Sequence, residues 1–325
     1  MPTAHMIRRR AELTQALRSV FEREGYVEVD TPLLSSEVCV DAYIDPILTA
    51  EGQFLQPSPE LAMKRLLADA DVARGCPAIW QLTKAFRHGE QGTRHHPEFT
   101  LCEWYRIGDS HRDQMTFTES LCDAMHRAAG LVPPSRPYPR VPYFEALTEA
   151  IAVRDLGPTR GPITAATDPN TVRRIIADAV SRLTQQPVDI DCFDYDGWLN
   201  IAVDELIEPF LATHEAVFLT DYPPSQAALA TASNTQADRF ELYVRGRDAT
   251  VIELANGYNE LTDAAEARRR FEAANTRRAD PLPLPEQFLA TTDALPACSG
   301  VALGWDRLVM HLLGCDTIAA VAVVE

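Results

Sequence analysis

The chain has 325 residues, 46% of them hydrophobic and 24% charged, which supplies a sizeable core and excludes a disordered protein. Its 30 basic side chains face 47 acidic ones, a net charge of −17, and this argues against a nucleic-acid partner, which is held through clusters of Lys and Arg. No apolar run reaches the roughly 18 residues that cross a bilayer, and the N-terminus lacks the apolar segment of a signal peptide, so no membrane partner is expected. Seven cysteines without any C-x-x-C spacing indicate neither a zinc site nor a disulfide framework, and a reducing cytoplasm is the expected location. Only two of the 30 basic residues are lysines, Lys64 and Lys84, a skew that reads as genomic composition.

In chain order, Leu13, Ala16, Leu17, Val20 and Phe21 fall at helical spacing, which predicts a helix over about 6–24 capped by Gly25. Tyr26 to Val29 alternates as a strand that ends before Pro32. Ser58 suits an N-cap and Pro59 a first helical position ahead of the run Leu61 to Leu67. Residues 78–86 and 99–105 read as two strands of a long antiparallel hairpin joined by the polar loop 88–96. The proline-rich stretch 131–140 marks a loop or subdomain edge, and 141–215 alternates helical patterns that read as scaffold. Strand-like alternation returns over 238–262 around the turn at Gly246, a charged helix follows over 264–278, and prolines break the chain at 281–285. Residues 300–314 read as a glycine-punctuated strand entering a helix.

The chemistry concentrates on two of these strands. Period-two alternation puts Phe99, Leu101, Glu103 and Tyr105 on one face, so an aromatic surface adjoins a carboxylate and a phenol. The competing reading makes Phe99 and Leu101 core and leaves Glu103 in solvent. Asn256, Tyr258 and Glu260 share a face in the same way, either as a functional surface or as the wet side of an edge strand. If Glu60, Glu103 and Glu260 converge, their mutual repulsion requires cationic partners, and a diamine-like ligand supplies them. Arg87 and Arg307 have the planar guanidinium geometry that grips phosphate, although an arginine taken singly is more often a surface salt-bridge partner. Neither a P-loop nor a Rossmann glycine motif is present, so any nucleotide must be held by arginines and aromatics.

At this point the residues resemble a class II aminoacyl-tRNA synthetase core of the lysine-activating branch. Residues 25–32 resemble its first motif, Phe86-Arg87 through Phe99 its second, and Gly300 to Leu308 its third. Ser58-Pro59-Glu60, Glu103-Trp104-Tyr105 and the segment 253–261 are similar to its amino-acid pocket. The first motif begins about 25 residues into the sequence, which leaves no room for an N-terminal anticodon-binding domain, so a single catalytic domain over 1–325 is expected. In this the chain resembles the freestanding lysine ligases that modify translation elongation factor P.

The resemblance implies an α+β fold, a mostly antiparallel sheet flanked by helices, in a homodimer formed through the first motif. It implies activation of (R)-β-lysine, or lysine, by ATP and Mg²⁺ as an aminoacyl-adenylate, followed by transfer to a lysine side chain of elongation factor P without tRNA. By the same resemblance Arg87 and Arg307 are catalytic, and His88, Gly89, His96, Phe99, Leu254 and Gly304 join them at the nucleotide. Glu241 and Glu253 hold Mg²⁺, with Glu253 also beside the nucleotide. Ser58, Pro59, Glu60, Glu103, Tyr105, Asn256, Tyr258, Glu260 and Ala302 surround the substrate. Ala302 stands where lysyl-tRNA synthetases commonly have glycine, which favours the β-amino acid.

Two departures from the family pattern stand out: Gly89 occupies the usual position of an adenine-contacting glutamate, with Glu90 one residue later, and 247–251 reads as an insertion that lengthens a hairpin. In-line attack of a substrate carboxylate on the α-phosphorus needs stabilised charge rather than a protein nucleophile, in keeping with the lack of any Ser or Cys motif. The alternatives are a tRNA-charging enzyme, a ligase that amidates a free amino acid, and a catalytically silent synthetase paralogue.

Overall fold

Thr3 accepts a hydrogen bond from the Met6 amide, and helix α1, Ala4–Arg23, starts behind it. The computed structural model describes residues 1–158, 161–248 and 250–322, so Ala249, inside the segment read as an insertion, lies outside the described residues. Helix α1 begins two residues earlier than its apolar spacing indicates, buries Leu13, Leu17, Val20 and Phe21, and exits through Gly25 at φ +76°. The chain divides into two compact units, Met1–Pro133 with Leu254–Glu325, and Pro134–Glu253.

In the first unit α1 is followed by β1 (Val27–Glu28) and the short strands β2 (Leu34–Ser35), β3 (Ile47–Leu48) and β4 (Phe54–Leu55), the last three pairing as β2-β4-β3. Helices α2 (Glu60–Ala68) and α3 (Ala70–Gly75) lead to β5 (Ala78–Phe86), β6 (Glu98–Ile107) and α4 (His111–Ala128). Helix α2 starts one residue later than Ser58-Pro59 suggests: Pro59 is its cap residue, and Ser58 Oγ instead accepts from the Glu60 amide at 3.1 Å. Helix α4 opens on a reciprocal cap between Ser110 and Asp113.

The second unit contains β7 (Arg140–Pro142), α5 (Tyr143–Val153), α6 (Pro169–Thr184), α7 (Tyr195–Ala202), a π-helical turn at Val203–Ile207, α8 (Glu208–Leu211), β8 (Ala216–Tyr222) and β9 (Ala237–Arg245). Its strands run in the order β7-β8-β9, with β7 parallel and β9 antiparallel to β8. The helices cover them through a core that includes Tyr143, Leu147, Ile176, Trp198, Leu206 and Leu219, so this stretch is scaffold as its patterning indicates.

Strand β10, Val251–Asn259, carries the chain into the first unit, where α9 (Ala264–Asn275), α10 (Glu286–Thr292), β11 (Cys298–Gly304) and α11 (Trp305–Leu313) follow. Here the strands run β1-β5-β6-β11-β10, with only β1 parallel to its neighbour. The architecture is the mostly antiparallel sheet with flanking helices that the residues led us to expect.

Period two gives this sheet two different faces. On one, Trp80 and Trp104 are paired in register and meet Phe21 of α1 and Phe117 of α4, with Phe21 stacked on Trp80 at 4.2 Å between centroids. Trp104 Nε1 donates to buried Gln114 of α4 at 2.7 Å. On the other face lie Ile79, Gln81, Glu103 and Tyr105, and Met63 and Leu67 of α2 pack against Ile79 and Tyr105. The polar residues of that second face make the candidate site.

Candidate active site

Strand register assembles the amino-acid end of the site. Glu103 of β6, Ala302 of β11 and Asn256 of β10 stand opposite one another in one row, and Tyr105, Gly300 and Tyr258 form the next. Both readings that placed Glu103 or the Asn256 face in solvent therefore fail, since Glu103 is 1% exposed and Glu260 3%. Tyr105 donates its hydroxyl hydrogen to Glu103 Oε1 at 2.7 Å. Glu103 Oε2 and Asn256 Oδ1, on the same row, are buried without a hydrogen-bond partner. Buried oxygens of this kind suit an ammonium group, because leaving them unmade costs about 1–3 kcal/mol each.

Gly300 is what lets the pocket close. A Cβ at that position would lie 2.2 Å and 2.3 Å from Tyr105 ring carbons and 2.7 Å from Glu260 Oε1. The Tyr105 ring and the Glu260 carboxylate occupy the space that any side chain here would fill.

The three carboxylates converge, and a cation absent from the sequence reading meets them. Lys64 of α2 reaches Glu60 Oε1, one helical turn before it, at 2.6 Å and Glu260 Oε2 at 2.5 Å, with only 1% of its side chain exposed. Its ammonium also lies 5.9 Å from the centre of the Tyr105 ring. Burial works against the Lys64 charge, but Glu260 and Glu60 outweigh it and hold the ammonium protonated above its ordinary range. One lysine does not balance three carboxylates: burial, then the Glu60 charge, pushes Glu103 up to about 8, against the pull of Tyr105 and Lys64. Burial likewise raises Glu260 to about 7 in spite of Lys64. Ser58, Pro59 and Glu60 stand at the α2 end of this pocket, so every residue expected around the substrate belongs to the two strand rows, to Glu260 or to the start of α2.

The residues expected at the nucleotide form a second cluster in the same unit, built from arginines and one ring. The Arg87 guanidinium lies 5.0 Å from the centre of the Phe99 ring and pairs with Glu90 at 3.3 Å. Gly89 takes φ +76°, so the residue that replaces the family's glutamate turns the chain and Glu90 folds back onto Arg87. Arg307, at the start of α11, approaches Nε2 of His95 at 2.5 Å. Burial first, then Arg307, Arg87 and Arg94 lower the pKa of His95, which keeps that ring neutral and able to accept from Arg307. A guanidinium over an aromatic ring, with Arg307 and Arg94 around His95, suits a polyphosphate and its base, so the residues present fit ATP.

His96, expected beside the nucleotide, turns Nδ1 toward the backbone of Glu98, and the adjacent His95 contacts Arg307. His88 donates its amide hydrogen to Asp45 O at 2.7 Å, Leu254 is buried, and a Cβ at Gly304 would graze Arg307 at 3.4 Å. Asp306 was not anticipated. It is 3% exposed, accepts from the Thr100 amide at 2.7 Å and pairs with Arg10 of α1 at 2.6 Å. The two neighbours of this anchor, Phe99 and Arg307, are thereby held to one frame.

The expected metal pair fares differently. In the second unit Glu241 accepts from the hydroxyls of Tyr222 and Tyr243, each at 2.6 Å, and pairs with Arg239 at 2.5 Å. Arg239 itself lies 4.3 Å over the Tyr222 ring. Glu241 is thus held by groups of its own unit, and its charge is paired with Arg239. Among the described residues no group of three or more His, Cys, Asp or Glu side chains gathers in a metal-binding arrangement.

A mostly antiparallel sheet with converging carboxylates in one cluster and arginines beside an aromatic ring in another is an arrangement that suits a ligase of the synthetase type. Residues 2–323 match the class II tRNA synthetases (D, K and N), and the chain belongs to that family. It is 36% identical to the elongation factor P–(R)-β-lysine ligase of Vibrio parahaemolyticus, over 98% of this chain and 95% of that one. The ligases of the same name from Vibrio cholerae and Salmonella gallinarum are 36% and 34% identical, over 98% and 96% of this chain and 95% and 92% of theirs. No helix among the described residues is long and apolar enough to cross a membrane.

Proposed function

We propose that this chain activates (R)-β-lysine with ATP and transfers it to a lysine side chain of elongation factor P. The observation that carries this reading is the buried row of Glu103, Ala302 and Asn256, whose two unpartnered oxygens await a cation. The near full-length similarity to ligases of that name supports the acceptor. ATP supplies the phosphorus that the substrate carboxylate attacks, with pyrophosphate leaving. The chain's own part is binding and orientation. Glu103, Asn256 and Tyr105 fix the amino end of the substrate, while Arg87 and Arg307 hold negative charge where it develops. Of the expected metal pair we retain only Glu253 as a candidate ligand for Mg²⁺.

The Ala302 methyl lies in the middle of the cation row, where a glycine leaves more room, and this supports a β-amino acid over the α-isomer. An acidic surface of net charge −17 supports a protein acceptor rather than tRNA. Val27, Leu33, Leu34 and Leu48 are exposed apolar side chains of the first-motif region and support a homodimer formed there. An enzyme that modifies a translation factor works in the cytoplasm.

Pyrophosphate exchange tests the activation step: exchange is expected with ATP, Mg²⁺ and β-lysine, faster than with α-lysine. Equal rates for the two isomers would remove the substrate assignment.

A further inference from the structure

Lys64 is the one buried lysine in a chain that has only two, and the other, Lys84, is 40% exposed beside Glu98. The other 28 basic side chains are arginines. A compact ammonium stands where Glu60, Glu103 and Glu260 meet, a position in which a planar guanidinium needs more space and aims its donors differently. Both of its ion pairs are short and its side chain is 1% exposed. Glu103 Oε2 and Asn256 Oδ1 are the pocket oxygens without a partner.

We propose that Lys64 is the internal counter-cation of the amino-acid pocket: its ammonium pairs with Glu60 and Glu260 and holds both in position, and leaves Glu103 and Asn256 to receive the ammonium of the ligand. The inference rests on the amino-acid pocket of the preceding section and adds a positioning residue to it. The groups that face Lys64 are Glu60 on its own helix, Glu103 and Tyr105 on β6, Glu260 after β10, Cys298 on β11, and Cys39 before β3.

Without Lys64, the buried Glu260 carboxylate is left uncompensated beside Glu60, and the inexpensive response is to take up a proton. An incoming ammonium must then expel that proton as well as the one on Glu103. In the wild-type pocket above pH 7 Glu103 is the main group that has to release one, because Lys64 opposes the rise of Glu260. The residue therefore acts on affinity through the number of protons released when the ligand binds, a quantity that a purely structural role leaves alone.

The test is calorimetric titration of β-lysine and α-lysine into the full chain without nucleotide, between pH 7 and 8, for wild type and Lys64→Met. In wild type log Kd is expected to fall by about one per pH unit, the linkage of a single released proton. In Lys64→Met the slope is expected to be about two, with binding at pH 7 at least roughly tenfold weaker. The double variant Lys64→Met/Glu260→Gln removes both charges together and carries the test if the single variant folds poorly; its slope is expected to return to about one. Unchanged slope and affinity in Lys64→Met, or a slope of two in the double variant, would overturn the role of Lys64 while the pocket stands. A wild-type protein that binds neither diamine would overturn the pocket reading itself.

Discussion

Gly300→Ala is the sharpest perturbation of the pocket because it adds one methyl group and no charge. Its Cβ arrives 2.2 Å from a Tyr105 ring carbon, whereas carbon atoms in contact sit about 3.5–4.0 Å apart, so ring and strand must separate by at least about 1.3 Å. The strand cannot yield, since β11 is hydrogen-bonded along its length to β6 on one side and β10 on the other. The ring therefore leaves, and with it the 2.7 Å hydrogen bond from Tyr105 to Glu103. A hydrogen bond to a charged group contributes about 1.5–3 kcal/mol, which corresponds to roughly 10- to 100-fold in affinity. The variant is expected to raise the amino-acid KM in pyrophosphate exchange by that factor, to leave the ATP KM within twofold, and to melt earlier through overpacking of about 1–3 kcal/mol. An unchanged amino-acid KM together with an unchanged melting temperature would refute the packing argument.

Glu103 titrates at about 8 in the folded chain against 4.5 ordinarily, so the folded state holds a proton that the unfolded state releases. Its contribution to stability is complete below pH 4.5 and is lost as the pH rises through 8; the ligand-free protein should lose melting temperature over that window, and Glu103→Gln should lose less, whereas parallel curves would contradict the raised pKa. Glu241→Gln is expected to destabilise the protein by about 2–4 kcal/mol, because Arg239 is left without its buried partner, while the Mg²⁺ concentration for half-maximal exchange stays within twofold. A higher Mg²⁺ requirement with no loss of melting temperature would assign Glu241 to the metal.

Much of the site was legible because it depends on period two. Phe99, Leu101, Glu103 and Tyr105 share a face in any strand, and so do Asn256 and Tyr258; register only had to bring the two strands to either side of β11. What could not be read is what the neighbours do. Glu60 and Lys64 stand four residues apart, a visible helical pair, but such pairs are usually solvated, and only the arrival of Glu260 makes this one part of a buried triad. Nor could the sequence show Arg239, Tyr222 and Tyr243 closing around Glu241, since those contacts come from β8 as well as β9. Adjacent His95 and His96 are indistinguishable by sequence, and loop geometry sets what each contacts. Helix α4 passed unread although Ser110 and Asp113 spell a cap, and the two-residue strands β2, β3 and β4 are too short for any periodicity to register.

The most direct measurement is the intact mass of elongation factor P after incubation with this chain, ATP, Mg²⁺ and (R)-β-lysine, in the absence of tRNA. One added β-lysyl group on a lysine side chain of the factor, lost when ATP is omitted and strongly reduced with Glu260→Gln, is the predicted result. An unmodified factor under conditions where the chain binds both ATP and β-lysine would contradict the assignment of the acceptor.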